Sequence, residues 1–522
     1  MLLPFIGRPL DVDDPMYVWA AEQIRAHPLD FYGFSVFWAG ADRPMPIHMQ
    51  NPPLACYYIA GVSFVAGFGV VALHLAFLLP AVGVSIGTYQ LAREMCRLPS
   101  VLAGLVAIIT PVFVLCANTI TNDMLMTCFW VWAVAFWDRG LRTSRWPLLL
   151  TSSLLIAAAC LTKYPGVNLI PLLGAYTIAR RASWFNLFWL LVPVGALMGY
   201  ELLTRSMYRD VTLSHSGLIS ESIAYARQVR ERRDAQPLLK TFIALGFLGA
   251  CIAPALLLSP ILWTWRNLGI GTVIIVLILI GLASVDIPRI VQLRMYGGLN
   301  WPLALQMSVW VTVGVSIMWL AVIDLWRSRS AESLLLALWI VGTFAFAGIV
   351  NWSVNGRTLL PLVPAVSIIL VRRLGDVGTF DRARPTRFLP AAILGSAALC
   401  LVLGWADTRW AMTSRAASEQ IVSQFKPAWG TLWFQGHWGF QHLMQDCGAE
   451  PFVVGDKPIR VNDIVAVPMF NSNTMPLGED IAEPIDDLAF DVVPFVSTMN
   501  VVMGAGFYSD SAGPLPFTFG PS

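Results

Sequence analysis

Charge is scarce in this chain: Asp, Glu, Lys and Arg make up 13% of its 522 residues, against about 25% in a soluble domain. Lysine is scarcer still, with only Lys163, Lys240, Lys426 and Lys457 among 34 basic residues. A formal net charge of +2 builds no basic face for nucleic acid and implies no acidic partner. Cysteine is sparse too, and no CxxC spacing occurs. Cys56, Cys96, Cys116, Cys128, Cys160, Cys251 and Cys400 lie in or beside apolar runs, where a thiol behaves as a small hydrophobe. Cys447 stands alone in the polar C-terminal region, so a disulfide framework and a cysteine metal centre are both excluded. What is plentiful is apolar surface, 57% of the residues with a mean hydropathy of +0.65. That excludes a soluble enzyme and a disordered chain, and leaves a polytopic membrane protein.

Apolar runs of roughly bilayer length predict about twelve helices. They fall near 71–92, 99–117, 121–137, 147–163, 165–180, 184–204, 238–260, 268–285, 302–325, 332–350, 356–371 and 388–405. Arginines recur in every second loop: Arg93 and Arg97; Arg139, Arg142 and Arg145; Arg180 and Arg181; Arg266; Arg327 and Arg329. Arg372, Arg373, Arg382, Arg384 and Arg387 complete the series. Short arginine-bearing loops stay cytoplasmic, which sends the alternate loops, residues 1–70 and everything after 405 to the extracytoplasmic face. The 205–237 loop runs against this trend, since it carries Arg227, Arg230, Arg232 and Arg233.

Three regions follow. Residues 1–70 form a first extracytoplasmic loop with an acidic motif and juxtamembrane helices. Residues 71–405 form the transmembrane domain. Residues 406–522 form a small extracytoplasmic α/β domain, because Phe452-Val453-Val454, Ile464-Val465-Ala466-Val467 and Val492-Val493 are short apolar runs separated by Gly, Pro and Asp. An even helix count leaves the first loop without a tether, so a further spanning helix is expected upstream of Met1.

The polar residues that remain are few and well placed for chemistry. Asp11, Asp13 and Asp14 crowd three carboxylates into four positions, a costly arrangement unless they are solvated, bound to a cation or used on a substrate. The same residues also suit a capped surface helix, with Asp14 as N-cap and Pro15 at the first helical position. Asp123 stands where an outer loop enters an apolar helix, and an ionisable group at that depth is a functional candidate. Lys163 and Arg357 open onto the same face. Singly, each cation suits snorkelling to the headgroups; together with the carboxylates they suit a phosphorylated lipid. Asn51-Pro52-Pro53-Leu54 and the aromatic Tyr57 and Tyr58 make a juxtamembrane segment. His48 lies near the acidic loop and, with Asp13 and Asp14, makes a weak metal site. His437 and His442 read as structural or surface residues.

In this order, the residues resemble the GT-C membrane glycosyltransferases, specifically the dolichyl-phosphate-mannose–protein mannosyltransferase and aminoarabinose transferase family. The family's acidic pair, with Tyr and Ala following, is similar to Asp13, Asp14, Tyr17 and Ala21. Its Pro-Pro-Leu with aromatics resembles Pro52, Pro53, Leu54, Tyr57 and Tyr58, and its second outer-loop Asp resembles Asp123. Leu161-Thr162-Lys163 and Arg357 with Pro361 and Pro364 complete the likeness, which covers roughly residues 11–372. Asn51 departs from the pattern, standing where the aminoarabinose branch has a phosphate-binding lysine.

The resemblance implies an all-α polytopic membrane protein of about 12–13 transmembrane helices in a GT-C-like fold, followed by the small α/β domain. It implies transfer of a sugar, a hexose or pentose, from a polyprenyl-phosphate donor to an acceptor hydroxyl on a lipid, glycan or protein, at the outer face of a bacterial inner membrane. By that resemblance Asp13 is the general base, Asp14 and Asp123 orient the acceptor or hold a divalent metal ion, and Lys163 and Arg357 bind the departing lipid phosphate. Asn51, Tyr57 and Tyr58 line the substrate. Two other classes fit the same composition: a transporter or flippase of a lipid-linked sugar, and an inactive assembly partner. A transporter more often shows charges deep in both halves or paired broken helices, and neither is evident.

Overall fold

The computed structural model describes residues 2–520 except 39, 97–98, 233–235, 296, 381–387, 426–429, 454–457 and 479–480. Arg97, Arg233, Arg382, Arg384, Arg387, Lys426, Val454 and Lys457, all named above, lie outside the described residues. Each of the twelve apolar stretches falls on one to three helices. Seven described helices are long and apolar enough to cross a bilayer: Val70–Met95, Trp184–Tyr208, Trp265–Ser284, Trp301–Ser328, Ala331–Val350, Arg357–Asp376 and Leu389–Phe425. The pair Pro111–Ala117 and Asn122–Thr143 is long and apolar enough only when taken together, and is bent by 120° at its break, the form of a broken span or a re-entrant loop. Leu54–Ala66, Trp146–Thr162 and Pro237–Cys251 are apolar but shorter. The protein is therefore an integral, helical membrane protein.

Prolines account for several of the divisions. Pro111 opens a new helix rather than continuing Val101–Ile108, and Pro165 sets a 3-10 turn over Tyr164–Asn168 before the helix resumes. Such breaks are tolerated at membrane depth where neighbouring helices re-satisfy the freed carbonyls. The bend between Ala117 and Asn122 matters most, because it turns the Asp123 carboxylate toward the first 70 residues.

Those residues form a second core, shared with Leu73, Phe77, Ile120, Leu125, Tyr200 and Tyr208 of later segments. The helix α1 (Asp14–Ala26) buries Tyr17, Ala20, Ala21 and Ile24, one stripe at helical spacing, and packs on Leu54–Ala66 through Ile59 and Ala60. A two-stranded antiparallel hairpin follows, β1 (Ser35–Trp38) with β2 (Ala41–Pro44). Asp13, not Asp14, is the residue before the first helical turn, and neither carboxylate caps it. Asp13 has helical backbone angles (φ −92°, ψ −5°), so its side chain is not laid over the free amides.

The C-terminal region is two structures rather than one. A parallel sheet in the order β4 (Glu450–Pro451), β3 (Leu432–Phe434), β5 (Ile464–Ala466) carries the helix Trp438–Asp446 and a small core of Leu432, Phe434, Phe440, Met444 and Ala449. The apolar pair Val492-Val493 forms no strand; pairing falls instead at Val496–Ser497 with Thr518–Phe519. From Val493 to Phe517 the chain joins the core of the membrane helices, where Phe507, Leu515 and Phe517 are fully buried. Burying one such phenylalanine stabilises by roughly 1.5–3 kcal/mol, so this segment is anchored firmly. Meanwhile the helix Leu389–Phe425 runs without interruption through residue 405.

Candidate active site

Four distant segments deliver one ionic cluster. Asp13 precedes α1, Asp123 begins the helix after the bend, Lys163 ends the helix Trp146–Thr162, and Arg357 opens the turn into its span. The Asp13 Oδ2 accepts from the Arg357 Nη1 at 2.7 Å. The Asp123 Oδ1 accepts from the Lys163 Nζ at 2.6 Å, and its Oδ2 accepts from the Thr121 hydroxyl at 3.2 Å. The Arg357 charge acts on Asp13 and Asp123 alike, and the buried Tyr17 ring feels all three groups. One asymmetry stands out in the cluster: Asp123 is 1% exposed whereas the Asp13 side chain is 32% exposed.

Unused capacity distinguishes these groups further. The Arg357 Nε is buried and has no hydrogen-bond partner among the described residues. Lys163 spends one of three donors on Asp123. A buried donor without a partner costs roughly 1–3 kcal/mol, and an anionic ligand would satisfy it. The segment that seats Arg357 is itself held by the C-terminal chain. The Gly356 amide donates to the Phe507 carbonyl at 2.8 Å, and a Cβ on Gly356 would lie 2.2 Å from the Phe507 ring. Asp510 and Val354 exchange two hydrogen bonds alongside, and Arg357 sits 5.6 Å over the Tyr508 ring.

Asp14 turns away from this cluster. Its Oδ1 accepts from the Ile120 amide at 2.9 Å, and its Oδ2 from the Asp11 amide at 3.2 Å and the Arg8 Nη1 at 3.3 Å. Arg8 is wholly buried and also pairs with Asp407 at 3.2 Å and donates to the Tyr508 hydroxyl at 3.2 Å. Burial pushes the Asp14 carboxyl up to about 7 and that of Asp11 to about 6, although Arg8 opposes the shift. This assembly bolts the first loop to the loop before Asn122, to the last long helix and to the C-terminal segment. Reading the sequence for chemistry missed Arg8, Asp407 and Tyr508. Asp407 did carry a signal, being an acidic residue inside an apolar run.

The remaining candidates are spread around the cluster. The Tyr57 hydroxyl donates to the Pro28 carbonyl at 2.5 Å and that of Tyr58 to the Ala76 carbonyl at 2.7 Å, so both phenols are spent on backbone. Asn51 is fixed through its carbonyl, which accepts from Tyr32 at 2.7 Å. His48 lies on the short helix Met45–His48, where burial lowers its pKa. Asp13, Asp14 and His48 do not converge: among the described residues no group of three or more His, Cys, Asp or Glu could hold a metal ion. The reason is the backbone turn that sends Asp13 to Arg357 and Asp14 to Arg8. The His442 Nε2 lies 3.5 Å from the Asp446 carboxylate, and His437 is buried beside Trp38 and Trp438.

Comparison with known proteins agrees with the motifs. Residues 50–200 match the family model described as dolichyl-phosphate-mannose-protein mannosyltransferase. That match spans less than a third of the chain, and over that stretch it agrees with the family that the motifs resemble. No curated protein matches the chain. Among solved structures, it is similar to ArnT from Cupriavidus metallidurans bound to undecaprenyl phosphate, at 15% identity over 89% of this chain and 87% of that one, with a TM-score of 0.42. It is also similar to the Archaeoglobus fulgidus oligosaccharyltransferase in its apo form, at 14% identity over 85% of this chain and 61% of that one, with a TM-score of 0.47.

Proposed function

We propose that the protein transfers a sugar from a polyprenyl-phosphate donor to an acceptor hydroxyl at the extracytoplasmic membrane surface. The observation that carries this reading is the pairing of two carboxylates with two cations at one end of the helices, Asp13 with Arg357 and Asp123 with Lys163. Such a set serves both halves of a glycosyl transfer. The half-exposed Asp13 takes the proton of the acceptor hydroxyl as its oxygen bonds to the anomeric carbon. The bond from that carbon to the phosphate oxygen breaks, and its electron pair leaves with the lipid phosphate.

That leaving group gains charge beside an apolar phase, where preorganised cations are worth far more than in water. Lys163 and Arg357 supply them, the latter through the free Nε. Asp123 holds Lys163 upright in the waterless interval before donor binds. Asp14 acts at a distance, by fixing the loop that ends in Asp13, and no step is routed through a metal ion. Purified protein incubated with polyprenyl-phosphate mannose, arabinose and aminoarabinose tests the reading directly. Release of lipid phosphate that depends on Asp13 supports it. Movement of intact donor across vesicles without release would favour a flippase and overturn it.

A further inference from the structure

A cleft of about 490 Å³, lined by Trp19, Glu22, Gln23, Phe34, Phe37 and Gln445 among others, opens beside α1 and β1. Its volume lies within the usual range of ligand sites. Its lining brings three aromatic rings together with two side-chain amides and one carboxylate. Glu22 forms no ion pair among the described residues, and burial raises its carboxyl pKa with help from the nearby Asp446 charge. The walls come from two parts of the chain. α1 and β1 belong to the first 70 residues, while Gln445 belongs to the helix of the C-terminal sheet unit. The Gln441 side-chain amide donates to the Phe37 carbonyl and joins the two.

The cleft is tied to the Asp13 end by a line of rings. Trp19 meets Trp38 edge to face at 6.1 Å, and Trp38 meets His437 at 5.0 Å. His437 in turn lies within electrostatic reach of Asp13. The turn that carries it is clamped: Asn471 bonds both the amide and the carbonyl of His437, and the Gly439 amide donates to Asp11 at 3.2 Å.

We infer that this cleft binds the acceptor, and that the acceptor is an oligosaccharide. The inference rests on the glycosyltransferase reading above and adds the substrate class to it. Flat rings beside carboxylate and amide groups suit a pyranose or furanose, which presents apolar C–H faces and a rim of hydroxyls. Length supports the same choice. Glu22 lies nine residues along α1 from Asp13, about 14 Å at 1.5 Å per residue. A monosaccharide at Asp13 does not reach the cleft; a chain of several sugars does.

The test uses the whole protein in detergent. Mannose, arabinose, glucose and galactose pentasaccharides are compared with a serine- and threonine-rich peptide as acceptors for the donors named above. Trp19→Ala and Glu22→Gln should raise the acceptor KM by about tenfold or more, with kcat and donor KM unchanged. Hydrolysis of donor by water should be the same in both variants and the parent. Use of the peptide in place of every pentasaccharide would overturn the inference, and so would an unchanged acceptor KM in both variants. If Asp13→Asn abolishes transfer while the cleft variants behave as the parent, the glycan site falls and the glycosyltransferase reading stands. If Asp13→Asn keeps full transfer, that reading falls by itself.

Discussion

The helix Asn122–Thr143 carries a buried carboxylate near each end, Asp123 and Asp138, and the two are about 22 Å apart along its axis. Each is part of a balanced set, two acids with two bases. At the far end Arg142 grips both oxygens of Asp138 at 2.8 and 2.9 Å, and Tyr176 donates to the same carboxylate. Glu332 completes the set, accepting from Arg142 at 2.8 Å and from Arg180 at 2.5 Å. Every formal charge there has an opposite partner, and among the described residues none of the four has a buried side-chain polar atom without a hydrogen bond. At the Asp123 end the same charge count leaves Asp13 partly open and Arg357 with a buried donor that has no hydrogen bond among the described residues. Charge balance is thus no guide to function. Between these two ends the difference is the hydrogen-bonding capacity left over after the fold is satisfied.

The sharpest way to break this comparison is to neutralise one carboxylate at each end. Asp13→Asn should lower turnover about 10²–10⁴-fold, as expected for loss of a general base, with the melting temperature nearly unchanged. Asp138→Asn should do the reverse and cost stability while leaving turnover. Lipid phosphate release and thermal unfolding in detergent measure both. Equal turnover losses would erase the distinction.

Next in size is Arg8→Met. Removing the one cation among Asp11, Asp14 and Asp407 strands buried carboxylates, and breaking such a group costs about 3–5 kcal/mol. The expected result is a large fall in folded yield and melting temperature. An unchanged melting curve would show that the bolt is not needed. Lys163→Met should be milder and different in kind. It removes a charged donor worth about 1.5–3 kcal/mol, so the donor KM rises by one to two orders of magnitude. An unaffected donor KM would take Lys163 out of phosphate binding.

The smallest effect is one of pH. Asp14, at about 7 in the fold, has an ordinary carboxylate value of about 3.9 when unfolded. Between those values the folded state holds more protons than the unfolded state, so stability falls as pH rises from 4 to 7. Melting temperatures at about pH 5 should exceed those at about pH 8, and Asp14→Asn should flatten the slope. A steeper slope in the variant would contradict the assignment.

Much of the molecule was legible in the linear chain, for a physical reason. Spans of apolar residues must satisfy their own backbone in lipid, so composition over about 20 residues suffices to place a helix. Asp13, Asp123, Lys163 and Arg357 were found because an ionisable group beside an apolar run is expensive and therefore conspicuous. Their distances, and which acid meets which base, were not legible. Pairing Asp13 with Arg357 joins residues 344 positions apart, and no local property encodes that. The same holds for Tyr508, which reaches Arg8 across 500 positions. Asp14 shows the limit most clearly. It is the immediate neighbour of Asp13 and of the same residue type, yet a helical backbone at Asp13 sends one carboxylate to Arg357 and the other to Arg8. Composition and motif alone determined that this chain crosses a membrane and carries acids and cations at one set of helix ends. Only tertiary packing decided which of those charges are spent on holding the fold and which remain free, because desolvation and pairing are properties of neighbours in space.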